Sequence, residues 1–141
     1  MSALSSESDI SALKSKVAAA VRMLTAEGLM DFNGHLSVRT PHDPQCILIN
    51  PRHVSRNVLT GDDIVMVDLR GKPLDGGNPS PQATPADARM RVAKGVEPPS
   101  ETPIHTSIYR QRPDAVSVAH IHPQIATAYD FGYTEDGRVP F

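Results

Sequence analysis

His120 and His122, separated by Ile121 at the end of the run VSVAHIH, are the residues best spaced to do chemistry. In an extended strand alternate side chains share a face, so Val116, Val118, His120 and His122 point the same way. Two neutral imidazoles placed like this can converge on one divalent cation such as zinc. Pro123 ends the strand there and sets the pair at a sheet edge, beside the start of a helix. The same spacing also serves ordinary hydrogen-bonded histidines, and a catalytic zinc wants a third protein ligand. His105 could supply it only if the fold brings its helix close, while His35, His42 and His53 have no spacing that recommends them. Glu101 stands 19 residues before His120. Read alone, it is either a proton carrier or an acid that favours the positive end of a helix dipole.

The elements that must position these groups follow from periodicity. After a small polar start, MSALSSE, expected to fray, Ile10, Leu13, Val17, Val21 and Leu24 recur at steps of 3, 4, 4 and 3. That is one face of an amphipathic helix, with Ser8 or Asp9 as its cap and Gly28 as its stop. HLSVRT and CILIN read as short strands across the turn PHDPQ, and DIVMVDLRGKPLDG as a further strand bending at Arg70 and Gly71. Residues 76–99 crowd prolines and glycines into an expected exposed loop insertion, with a short helical stretch at ADARMRVAK. In SETPIHTSIYRQRP, Ser100 or Thr102 can cap, Pro103 suits the first turn, Ile104 and Ile108 share a face, and Pro113 forbids continuation. AVSVAHIH then alternates as a strand, and PQIATAYD opens a last helix.

The 141 residues amount to one domain, and a net charge of -2 argues against nucleic acid or an anionic membrane as the main partner. With three Phe, three Tyr and no Trp, stacking platforms for bases or sugars are scarce. The single cysteine, Cys46 in QCILIN, excludes an internal disulfide framework and suits a reducing compartment. No signal-like segment or long apolar run is visible, so a cytoplasmic location is expected.

Taken together, PPSETPIHTSIYRQRPDAVSVAHIHP, GLMDFNGHLSVR, ILINPRHVS and DIVMVDLRGKPLDG resemble, in order, the motifs of the class II aldolase/adducin family. The resemblance covers nearly the whole chain outside its tail and the proline-rich loop. It implies a three-layer α/β/α fold with a central mixed or antiparallel sheet. It also implies a divalent metal, zinc above all with manganese as an alternative, that stabilises an enediolate or carbanion as a Lewis acid. His120 and His122 match two of that family's three histidine ligands, and Glu101 matches its catalytic glutamate. Aldol cleavage or decarboxylation of a small hydroxy-carbonyl or hydroxy-acid is the implied chemistry, and a homotetramer the implied assembly.

The departures matter as much. Gly34-His35 stands where the sugar-phosphate enzymes carry Gly-Asn, NPRHVSR replaces their phosphate loop, and Pro99-Ser100 replaces their paired serines. Arg52 and Arg56 suit a planar carboxylate, which points to the decarboxylase-like branch. Gly34, His35, Arg52 and Ser100 are therefore the substrate-side candidates. The loop looks longer than the family's usual join, and a neutral surface insertion is the simplest account. No histidine follows His122, so the third ligand of the resemblance is missing and the domain is expected to be incomplete at its C-terminal end. A non-catalytic, adducin-like assembly module or an inactive shortened relative is the competing reading.

Overall fold

The computed structural model describes residues 3–74, 97–124 and 126. Helix α1 spans Ala3–Ala26, strand β1 His35–Arg39, β2 Cys46–Ile49, β3 Val65–Asp68, helix α2 Thr102–Gln111 and strand β4 Ser117–His120. The strands form one antiparallel sheet in the order β3-β2-β1-β4.

Alternation in β2 shows the layering. Leu48 packs with Val17, Ala18, Val21 and Met30 on the α1 face, whereas Ile47 and Ile49 pack with Val65, Val67 and Tyr109 on the α2 face. Burying each such side chain contributes roughly 1.5–3 kcal/mol. The chain therefore has the three-layer arrangement, with α1 and α2 on opposite faces of the sheet.

Helix α1 ends as its sequence dictates. Gly28 takes φ +69, the Gly28 amide donates to the Thr25 carbonyl and the Leu29 amide to that of Leu24. Both bonds define a Schellman stop. At its other end the helix begins at Ala3, and Asp9 is not a cap but faces His42 at 3.2 Å. No glycine or proline between residues 3 and 9 halts the helix earlier, so the expected fraying start is corrected.

Two features of burial run against the apolar pattern. Ile104 and Ile108 do share a face of α2, but it is the exposed one, and Thr102, His105, Thr106 and Tyr109 are buried instead. The run into the histidine pair is not core. Val116 is 68% exposed and β4, an edge strand of the described sheet, is only half-buried. Residues 75–96, which hold most of the proline-rich stretch, lie outside the described residues, as does most of the last helix, of which Gln124 and Ala126 are helical. Among the described residues no helix is long and apolar enough to cross a membrane.

Candidate active site

Antiparallel pairing sets His35 opposite His120, so the first residue of β1 and the last of β4 bring their rings to 5.7 Å between centroids. His122 lies just past the strand, its amide donating to the Leu29 carbonyl beyond α1. The chain turn this bond enforces brings His122 Nε2 to 3.0 Å from His120 Nε2. On the other side of its ring, His122 Nδ1 meets Asp31 Oδ1 at 2.8 Å, and the same oxygen accepts the Asn33 amide. Burial pulls the Asp31 carboxyl upward, but the His122 bond and the Asn33 amide outweigh it and hold it below the usual range.

The turn between Asp31 and His35 is locked from beneath. The Gly34 carbonyl accepts from Arg56 Nε and Nη2 and from Asn50 Nδ2, and Arg56 Nη1 donates to the carbonyls of Arg52 and Val54. Arg56 is 3% exposed and spends its donors on backbone, so this guanidinium holds the turn rather than standing ready for a carboxylate. A Cβ on Gly34 would lie 2.1 Å from Met30 Cγ, which gives that glycine a packing reason of its own. Arg52 is exposed, its backbone amide bonded to the Glu97 carbonyl.

Glu101 sits at the N-cap of α2 without capping it. Its Oε2 instead accepts from the Ser100 hydroxyl at 2.9 Å and lies 3.9 Å from His35 Nε2. The Ser100 bond, then its own backbone amide and the nearby His35 and His120 charges, hold this carboxyl below its ordinary value. It is a base at neutral pH. Burial first, and then the Arg56 charge, push His35 down to about 4, against the pull of Glu101.

The structure thus gathers Gly34, His35, Ser100, Glu101, His120 and His122 at one end of the sheet. His105 does not join the imidazole pair, and its Nδ1 meets Ser37 Oγ at 2.7 Å. Among the described residues no group of three His, Cys, Asp or Glu side chains could hold a metal. Two could begin to. Tetrahedral zinc at its usual bond length sets two imidazole nitrogens about 3.3 Å apart, close to the 3.0 Å seen between His120 and His122. A carboxylate on the far nitrogen of a ligating histidine fixes the tautomer that leaves the near one free, and Asp31 stands there. The donor set fits half a zinc site. An apolar groove lined by Leu13, Val17, Leu36 and Val38 lies on the opposite face of the sheet and carries none of these groups.

Asp31, Ser37 and Tyr109 are not marked by any spacing in the sequence. The one local cue was the Asp-x-Asn-Gly run, whose side-chain-to-backbone bond is the familiar Asx turn. Its other partner, His122, is 91 residues away.

Comparison with known proteins shows the family and the fold. The 3,4-dihydroxyphthalate decarboxylase of Terrabacter sp. (strain DBF63) is 36% identical over 118 residues, covering 81% of this chain and 43% of that enzyme. The methylthioribulose-1-phosphate dehydratase of Sulfurihydrogenibium sp. (strain YO3AOP1) is 28% identical over 107 residues, covering 76% and 41%. The L-fuculose 1-phosphate aldolase from Glaciozyma antarctica PI12 superposes with a TM-score of 0.69 at 24% identity, over 92% of this chain and 47% of that one, and shows the fold. The chain spans less than half the length of each of these three. A model of the class II aldolase and adducin N-terminal domain matches residues 15–137. Fold, motif order and this match agree, and the chain belongs to the class II aldolase and adducin family.

Proposed function

We propose that this chain carries the N-terminal part of a divalent-metal-dependent lyase that acts on a small hydroxy-acid or hydroxy-carbonyl compound. The observation that carries the reading is the convergence of His120 and His122 at 3.0 Å, backed by Asp31, on the sheet edge where Glu101 faces His35. His120 and His122 would hold the metal, zinc by ligand type with manganese as the alternative, and His35 and His105 do not complete the set. When bound, such a cation supplies Lewis-acid stabilisation of the negative charge that develops as a carbon–carbon bond breaks.

The chain's own residues do the rest. Glu101, ionised and only partly buried, is placed to take a proton from the substrate hydroxyl or return one to the carbon left behind. Ser100 holds that carboxylate in one orientation by donating to Oε2. His35, neutral at pH 7, can bond a substrate oxygen without adding charge, and Gly34 is assigned to the substrate side beside it. Arg52 is the exposed guanidinium on the segment next to Glu97, and we assign it to a substrate carboxylate. Loss of carbon dioxide from an aromatic or other hydroxy-acid fits that assignment better than cleavage of a sugar phosphate, and the 36% identity to a decarboxylase supports it. The other relatives' names include a dehydratase and an aldolase, consistent with a shared lyase chemistry. A homotetramer is the assembly that family membership favours.

The test loads the purified chain with zinc or manganese and supplies a panel of hydroxy-acids and hydroxy-carbonyls, reading carbon dioxide and aldehyde release. The expected result is turnover that Glu101→Gln abolishes while metal content stays the same. Turnover that survives Glu101→Gln, or none from a folded and metal-loaded chain, contradicts the proposal.

A further inference from the structure

Behind Glu101 and His35 lie three polar side chains that the proposed chemistry does not use: Tyr109, Ser37 and His105, each at most 1% exposed. The fold puts them in a row. Ser37 follows His35 on the same face of β1, and His105 and Tyr109 are one turn apart on the buried face of α2.

Their proton positions can be worked out. The Tyr109 hydroxyl lies 2.9 Å from Ser37 Oγ, and among the described residues no other acceptor stands within bonding distance of its proton. Ser37 therefore receives that proton and turns its own toward His105 Nδ1 at 2.7 Å, the Val118 carbonyl at 3.5 Å being a far weaker outlet. His105, accepting at Nδ1, carries its proton on Nε2. That nitrogen is buried and has no partner. The His35 ring is next to it, centroids 6.1 Å apart and nearly perpendicular, and His35 Nδ1 is also buried without a partner. His35 Nε2 faces the Glu101 carboxylate, which draws the ring proton to that side and leaves Nδ1 a bare acceptor. His120 Nδ1 is a third buried ring nitrogen without a partner, but the ring contacts join His105 to His35 rather than to His120. The His105 donor and the His35 acceptor thus sit on adjoining buried rings, an arrangement that is costly unless something joins them.

We propose that Tyr109, Ser37 and His105 form an internal donor chain, joined through one internal water to His35 Nδ1, that fixes His35 as an Nε2–H donor aimed at Glu101. The three are positioning residues. Every proton in the chain points the same way, from Tyr109 toward the carboxylate, and the chain fixes the tautomer of a ring that neither Tyr109 nor Ser37 bonds directly. The inference deepens the proposed function and rests on Glu101 as its proton carrier.

The test is a long-range proton–nitrogen correlation spectrum of the full 141-residue chain, metal-free at pH 7.5, with nitrogen-15 in its six histidines. Wild type is expected to show both His105 and His35 protonated on Nε2. Tyr109→Phe, which keeps the ring and removes only the donor, and Ser37→Ala are each expected to shift His35 into a tautomer mixture. A merely structural role would leave the His35 tautomer untouched. His105 protonated on Nδ1 in wild type overturns the proposal, as does an unchanged His35 in a folded Tyr109→Phe protein. The wild-type spectrum decides the matter even if Ser37→Ala does not fold. Because tautomers are read without substrate or metal, failure here leaves the role of Glu101 standing. Failure of the Glu101→Gln assay likewise leaves the tautomers standing.

Discussion

Replacing Asp31 by asparagine isolates what its charge does for the imidazole pair. In the structure one oxygen, Oδ1, accepts from both His122 Nδ1 at 2.8 Å and the Asn33 amide at 2.8 Å. An asparagine carbonyl can accept both, so the turn and the ring orientation survive and only the negative charge goes. Outer carboxylates of this kind are worth about 10–100-fold in metal affinity. Asp31 is 54% exposed, and solvent screens an exposed charge, so the lower end applies. The expected loss is about tenfold, or about 1.4 kcal/mol. Asp31→Ala also removes the turn's bond to Asn33 and is expected to fall toward about 100-fold. Competition of each variant against a chromophoric chelator for zinc, at fixed pH, reads both numbers. If folded Asp31→Asn binds zinc as tightly as wild type, Asp31 serves the turn alone and the reasoning about His122 is wrong.

Arg56→Met removes the clamp on the Gly34 carbonyl and strands the Arg52 and Val54 carbonyls, at a cost of about 3 kcal/mol in urea unfolding; a loss below about 1 kcal/mol would show that the turn holds itself. Gly34→Ala drives a methyl to 2.1 Å from Met30 Cγ and is expected to cost about 1–3 kcal/mol by overpacking, whereas an unchanged urea midpoint would mean that Met30 swings clear. Burial, then the His120 charge, push His105 down to about 4 from its ordinary 6.5. The unfolded chain therefore binds this proton near pH 6.5 while the folded chain refuses it until about pH 4. The His105 contribution is complete above pH 6.5 and is lost as the pH falls from there toward 4. It amounts to at most about 3 kcal/mol. In His105→Gln the unfolding midpoint is expected to vary less with pH across that window; an equal slope would contradict the assignment.

What the sequence shows and hides follows the range of the interactions. The Gly28 stop is local chemistry, and the structure places both Schellman bonds where it predicts. Strand positions at HLSVR and CILI, and the bend at Gly71 with φ +84, are equally local. The burial of α2 was not legible. Its isoleucines suggest an apolar face, yet the helix turns His105, Thr106 and Tyr109 inward because the sheet face beneath it carries His35 and Ser37 and needs polar partners. The edge character of β4 was hidden for the converse reason, since alternating valines look alike whether or not a neighbour covers them. The H-x-H pair was readable as a chelating pair because two-residue strand spacing is itself local. Its support was not, because Asp31 reaches His122 across 91 residues and Ser37 reaches His105 across 68. The clamp by Arg56 was likewise out of view, and an arginine in a polar loop reads as substrate-facing until its donors are found on carbonyls.

Metal content of the purified 141-residue chain, read beside that of a His120→Ala/His122→Ala double variant, decides whether the imidazole pair is a working site. Zinc or manganese taken up by the wild type, and lost in the variant with the fold retained, is the expected result. A folded wild type that takes up no metal, or a double variant that keeps it, would contradict it.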